Sequence, residues 1–267
     1  MHDVFLAFVV SLALDLGRYA LVATPAFFLL WHVFGDRLRA RWLRPSPPDR
    51  GSIRREVLAS LRTAAIFAAM GAVVFAGARA GVFHVYRDAS RHGLAYACAT
   101  PLLLLVLQDA YFYFTHRAMH HRLLFRAVHL EHHLSRHTSP FTAYAFSPLE
   151  ALVHAAFVPI VTLVLPAHEL AIFAFLGVMI VRNVLGHAAI ELYPARFLAS
   201  PLGAAQTTAT HHALHHLHPR TNFGLYLTLW DRVCGTTDRT YEARFAEVTR
   251  REREEGRVKT RLDIGVG

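Results

Sequence analysis

The residues in this chain best suited to chemistry are its histidines. Residues 116–137 read HRAMHHRLLFRAVHLEHHLSRH and hold seven of the 19 histidines, and residues 211–219, HHALHHLHP, hold five more. Imidazole has no special merit for helix formation, so such density asks for a chemical reason. In a helix, positions three and four apart share a face. His116 and His120 form one such pair. His129 with His132 and His133, and His212 with His215 and His216, form two H-x-x-H-H sets, each expected to aim its rings at one point in space. Neutral imidazole suits iron, zinc, copper or nickel. Eight rings are too many for one ordinary site and suit two metals side by side, each with a position open for exchangeable ligands.

In that order, the H-x-x-x-H and the two H-x-x-H-H sets resemble those of the fatty acid hydroxylase and sterol desaturase superfamily of membrane non-haem di-iron enzymes. The flanks agree. Asp109, Tyr113, His116 and Arg117 are similar to that family's opening D-x-x-x-Y-x-x-H-R, and Asn222, Gly224 and WDRVCGTT (230–237) to its closing signature. The resemblance covers about residues 105–238. It also points to His187, in GHAAIEL, as a ninth ligand. Four residues on stands Glu191, where the family can have a further histidine; it reads, in that order, as a support for a ligating ring, a surface residue or a ligand itself. A carboxylate that accepts the far N–H of a ligating imidazole fixes its tautomer and strengthens its donation, and Glu191, Asp109 and Glu131 are the candidates for that work. His2, His32, His84, His92, His154 and His168 stand alone and read as core or interfacial residues. His121, His137, His211 and His218 adjoin the motifs and read as supporting or solvent-facing at least as readily as ligating.

These ligands need elements to position them, and composition says what kind. With 54% hydrophobic residues and a mean hydropathy of +0.30, the run lengths decide between a very apolar globule and a membrane protein. Residues 3–34 are almost continuously apolar and exceed the roughly 20 residues needed to cross a bilayer. They carry Asp15 and Arg18, which read as a mutually satisfied pair inside a bundle. No basic leader or small-residue cleavage site marks them as a signal peptide.

Residues 36–56 are rich in arginine, which places this loop in the cytoplasm by the positive-inside rule. The net charge of +9 is therefore assigned to orientation and anionic headgroups, and no nucleic-acid binding is expected. Residues 57–81 and 93–114 read as further spans, the latter ending in YFYF at an interface. Residues 150–165 and 168–185, broken at Pro166, read as a hairpin that crosses and returns or as a re-entrant pair. Residues 82–91 read as an outer loop, and counting crossings puts all the histidine sets, with His187, on the cytoplasmic side. Cys98 and Cys234 are not expected to form a structural disulfide. The charged tail reads as a cytosolic helix with a frayed end.

The expected fold is thus an all-α integral membrane protein of about four to five transmembrane or re-entrant helices, with a cytoplasmic helical cap holding a histidine-rich di-metal site. Its parts are an N-terminal membrane region (1–92), a catalytic region (93–238) and a charged tail (239–267). The resemblance implies two Fe(II) ions, O2 as co-substrate, and hydroxylation or desaturation of a lipid such as a sterol or fatty acyl chain. No dinucleotide-binding glycine motif occurs in the sequence, so electrons are expected from a separate ferredoxin or cytochrome b5 type donor with its reductase. The membrane would be the inner membrane in a bacterium or the endoplasmic reticulum in a eukaryote. Two rival classes fit less well. A zinc hydrolase lacks its H-E-x-x-H or H-x-x-E-H signature, and a metal transporter or sensor would place ligands near the midplane rather than at span ends.

Overall fold

The computed structural model describes residues 2–250, and four helices in it are long and apolar enough to cross a membrane. Helix α1 (His2–Phe28) continues through a wider π turn, Leu29–Val33. Helix α2 (Arg50–Arg79) starts well before the apolar run at residue 57, because the Asp49 carboxylate accepts the Ser52 amide at 2.9 Å and caps it. The two pack along each other with Arg79 at the end of α2 meeting Asp3 at the start of α1, so they run antiparallel. Gly71 lets them approach closely: a Cβ there would stand 2.8 Å from Ser11 Oγ. Inside α1, Arg18 pairs with Asp15 as expected.

Helix α3 (Leu94–Met119) follows Gly93, whose φ of +82° suits glycine at the turn. It runs on through the YFYF segment, so His116 lies in its last turns rather than beyond its end. The short helices α4 (Phe125–Val128) and α5 (Leu130–His133) then fold across the end of the bundle. A 3-10 turn, Pro140–Tyr144, capped by Ser139, leads into α6 (Pro148–Ala155) and α7 (Phe157–Thr162), and α8 (Glu169–Gly186) returns.

The α7–α8 connection settles whether this hairpin reaches the far end. Its strand β2 (Ala167–His168) pairs in parallel with β1 (Val85–Tyr86), in the loop between α2 and α3. The hairpin apex therefore lies beside the α2–α3 loop, opposite the histidines.

The remaining cap comprises α9 (Pro201–Ala204), α10 (Ala209–Leu217), α11 (Leu229–Val233) and a helical stretch over 241–250. The frayed end expected of the charged tail falls outside the described residues. Tyr19, Phe141, Tyr144, Phe146, Ile180 and Val184 form the largest core, where α1, the 3-10 turn and α8 meet. On the outside, Phe5, Leu21, Leu102, Val106 and Leu170 are exposed. In water so much apolar surface would aggregate; against lipid it is at home.

The arginine-rich loop also has internal work. Arg41 is buried and donates to the Glu191 and Tyr193 carbonyls at 3.1 and 2.8 Å, and Arg44 donates to the carbonyls of His137 and Thr138. These bonds lash the α1–α2 connection to the histidine-bearing end.

Candidate metal centre

The nine histidines singled out in sequence form two clusters. His116, His120, His129, His133 and His215 make one; His132, His187, His212 and His216 make the other. In each, one nitrogen from every ring lies within 4.8 Å of the rest. The clusters adjoin, with the rings of His133 and His216 stacked across the divide at 4.7 Å between centroids.

Each H-x-x-H-H set was expected to aim at one point, and the structure corrects this. The residues four apart, His129 with His133 and His212 with His216, stay together, whereas the remaining ring of each set, His132 or His215, joins the other cluster. Residues four apart differ by about 40° around a helix and neighbours by about 100°. A helix lying between two sites therefore feeds both.

The rings are oriented by what their far nitrogens touch. His116 Nδ1 donates to the Phe223 carbonyl at 2.9 Å, His187 Nδ1 to Asn183 at 2.8 Å, His215 Nδ1 to Thr221 at 2.7 Å and His132 Nδ1 to Ala145 at 3.3 Å. A carbonyl can only accept, so the single proton of each neutral ring sits on Nδ1 and leaves a lone pair on Nε2. Those lone pairs converge. His132 and His187 face each other Nε2 to Nε2 at 3.3 Å although both have spent their N–H. The other Nε2 pairs are His116–His129 (3.0 Å), His120–His215 (3.1 Å), His133–His215 (3.2 Å), His187–His212 (2.8 Å) and His212–His216 (3.1 Å). Facing lone pairs repel unless a cation lies between them. Nitrogens bound at about 2.1 Å to one ion stand about 3.0–3.4 Å apart. The donor set thus fits one transition-metal ion per cluster.

Electrostatics agree. Burial, followed by repulsion among the rings, lowers the imidazoles: His133 falls to about 3, and His129, His132, His212, His215 and His216 drop well below the usual range. Burial alone outweighs the Asn183 carbonyl at His187, which falls to about 4. Neutral rings are what a metal requires.

The opening and closing motifs meet. The Asp109 carboxylate of α3 accepts the Tyr226 and Leu227 amides, each at 3.0 Å, and Tyr113 Oη bonds Thr236 Oγ1 at 2.9 Å. Asp231 accepts the amides of Phe223 (2.9 Å) and Gly224 (2.8 Å) and the Thr236 hydroxyl, and faces His211 Nε2 at 3.3 Å. Burial favours its protonated form, but His211, Thr236 and the Gly224 amide prevail and hold the carboxyl below its usual range. Asn222 adopts φ +59°, which asparagine tolerates, while its side chain donates to the His211 carbonyl and accepts the Asp238 amide. A Cβ on Gly224 would stand 2.5 Å from the Leu227 carbonyl oxygen. All this clamps one loop, and that loop supplies the carbonyls that hold His116 and His215.

None of the three carboxylates put forward to accept an imidazole N–H does so among the described residues. Asp109 serves the loop amides, Glu131 pairs with Arg62 at 2.7 Å, and Glu191 accepts the Tyr193 amide and both the amide and hydroxyl of Thr210. Glu191 thereby pins the start of α10, which carries three of the nine rings. Among the described residues, the carboxylate that faces one of the nine clustered rings is Glu150, fully buried on α6, 2.8 Å from His129 Nδ1. It also lies 3.6 Å from His154 Nε2, a ring read from sequence as solitary. Of the flanking histidines, His211 meets Asp231, His218 meets Asp238 at 2.6 Å, and His121 and His137 are exposed.

A cavity of about 590 Å³ opens among α1, α2, α3, α6, α7 and α8, walled by residues such as Leu14, Phe67, Val74, Phe173 and Leu176. At its inner end stands His154, stacked on Phe112 and packed on Phe146; these two rings touch His116 and His132 in turn. One layer of side chains separates the cavity from the imidazoles. A smaller cavity of about 170 Å³ reaches His187 and His212.

Comparison with known proteins decides the family. The family model for fatty acid hydroxylase matches residues 101–236, just over half of the chain. The chain belongs to the fatty acid hydroxylase family. Within it, the chain is similar to lathosterol oxidase of Mus musculus (29% identity over 146 residues, 54% of this chain and 47% of the relative) and of Homo sapiens (25% over 225 residues, 83% and 72%). It is also similar to very-long-chain aldehyde decarbonylase GL1-1 of Oryza sativa subsp. indica (36% over 152 residues, 55% and 24%). The chain thus spans about half the length of the mouse relative and a quarter of the rice one. No solved structure matches it.

Proposed function

We propose that this protein is an integral-membrane di-iron oxygenase that uses O2 and electrons from a separate donor to hydroxylate or desaturate a C–H bond of a lipid. The observation that carries the reading is the convergence of bare imidazole lone pairs in two adjoining clusters, one side-chain layer from an apolar cavity. His116, His120, His129, His133 and His215 would hold one ion, and His132, His187, His212 and His216 the other. Bound iron would supply the activation of O2 and the oxidising power for C–H cleavage.

The protein's own contribution is position and exclusion. Carbonyls of Thr221, Phe223, Asn183 and Ala145 fix four rings in the tautomer that presents Nε2, and Glu150 stands behind a fifth. The cavity takes the lipid and keeps water from it. Relatives named for a sterol and for a very-long-chain aldehyde support an elongated lipid substrate. The nine clustered histidines lie at the end of the bundle bound to the arginine-rich loop, and the positive-inside rule supports a cytoplasmic location for that end, within reach of a soluble or peripheral electron donor.

The test is lipid analysis of cells with and without the intact gene, with His132→Ala and His215→Ala as controls. An O2-dependent product shifted by one oxygen or two hydrogens, lost in both variants, is expected. An unchanged lipid profile, together with iron-loaded purified protein that turns over no membrane lipid under O2 and a chemical reductant, would overturn the reading.

A further inference from the structure

The large cavity is apolar along most of its wall; Arg79, Arg87 and Glu169 line it beside the α2–α3 loop, and a second polar group lines its inner end. There α1 presents Asp15 and Arg18, α3 presents Gln108, and the 3-10 turn presents Tyr144. Arg18 bonds Asp15 through Nη2 alone; its Nε and Nη1 have no partner among the described residues. The same holds for Tyr144 Oη and Gln108 Oε1, on side chains that are 1% and 3% exposed. Buried polar atoms are almost always bonded. Four unpartnered ones, donors and an acceptor, on three residues lining one end of one cavity are a recognition site for a ligand that both donates and accepts.

The geometry points to a lipid alcohol whose hydroxyl sits at this inner end, accepting from Arg18 or Tyr144 and donating to Gln108. This rests on the reading of the cavity as the lipid site and adds which lipid end enters it. Charge argues for a neutral oxygen. Asp15 already neutralises Arg18, so a carboxylate would bring an uncompensated charge into an apolar chamber. An ester or ketone could accept from Arg18 but would leave Gln108 Oε1 unmet. The placement also sets where oxidation falls. Gln108, Phe112 and His116 follow one another at four-residue steps on one face of α3, so the hydroxyl would be held about 12 Å along that helix from the first ligand. Tyr144 directly precedes Ala145, whose carbonyl holds His132. The carbon that reacts then lies at a set number of bonds from the hydroxyl.

Equilibrium binding of radiolabelled probes to the purified full chain in lipid nanodiscs tests this without turnover. Octadecanol and cholesterol are each compared with the parent hydrocarbon, octadecane or cholestane, and octadecanoic acid is the charged control. At least one alcohol is expected to bind about tenfold or more tightly than its hydrocarbon and than the acid, the scale of one matched polar group. Tyr144→Phe and the charge-balanced double variant Asp15→Asn/Arg18→Gln, which leaves no lone charge in the bundle, should each erase most of that preference while leaving hydrocarbon binding unchanged. Equal binding of alcohol and hydrocarbon, tighter binding of the acid, no binding of either alcohol, or an undiminished preference in both variants would overturn the proposal. Lipid turnover is measured separately, so absence of any alcohol preference in the unsubstituted protein, when that protein still oxidises lipid, would refute only this inference.

Discussion

The two imidazole clusters are built from the same side chain and differ in how they are supported. The five-ring cluster draws on α3, the α5 region and α10, includes the half-buried His120, and is backed by the carboxylate of Glu150 at His129. The four-ring cluster is wholly buried, and its rings are oriented through backbone carbonyls at His132 and His187. The five-ring cluster also has backbone carbonyls behind His116 and His215, so the plainer difference is access, with one half-buried ring against four buried ones. The ion in the five-ring cluster is thus expected to be the more open, and the one in the four-ring cluster the more sequestered.

The comparison breaks most sharply at the ligands. His215 bridges His120 and His133 through Nε2, and His212 bridges His187 and His216. His215→Ala and His212→Ala should each lower turnover by roughly a hundredfold or more, beyond the range seen for residues that merely support ligands. Each should also reduce bound iron by one ion, from opposite clusters, as read by metal analysis with Mössbauer spectra. Glu150→Ala should cost about 10- to 100-fold in metal affinity or activity, and the weakened ion should be the five-ring one. Equal weakening of both would mean that the clusters share their support.

Acidification sharpens the contrast in the metal-free protein. Unfolded histidine titrates near 6.5, whereas folded His187 and His133 resist protonation down to about 4 and about 3. Over that window the unfolded chain binds more protons, so stability is intact above about pH 6.5 and falls as the pH drops toward 4. The melting temperature of metal-free protein should follow that slope, and iron-loaded protein should hold a plateau further down. Smallest of all, Glu131→Gln should leave iron content and turnover unchanged and alter stability by less than about 1 kcal/mol, as for any exposed ion pair.

Much of this was legible in the sequence, for identifiable reasons. The nine clustering histidines stand out by residue type and by helical spacing, and the four long apolar helices by the length of their runs. What sequence spacing misplaced was the division of rings between ions, since that depends on where a short helix lies relative to both. Sequence alone points for the supporting carboxylate to Glu131, beside the clustered histidines, and to Asp109 and Glu191 within the motifs. All three hold backbone, a neighbouring helix start or a surface arginine instead. Glu150 lies 21 residues from His129 on another helix. Its signal was a glutamate and a histidine four apart inside an apolar run, PLEALVHAA, where an ionisable pair has no place unless it is used. The loop clamp built by Asp109, Asn222, Gly224 and Asp231 was visible only as a resemblance; its purpose appears once the carbonyls of Thr221 and Phe223 are seen to hold His215 and His116.

Anomalous diffraction at the iron edge, from crystals of the iron-loaded full chain, tests the central claim most directly. Two peaks are expected, one enclosed by the Nε2 atoms of His116, His120, His129, His133 and His215 and the other by those of His132, His187, His212 and His216. A single shared peak, or iron bound anywhere outside these nine rings, would contradict it.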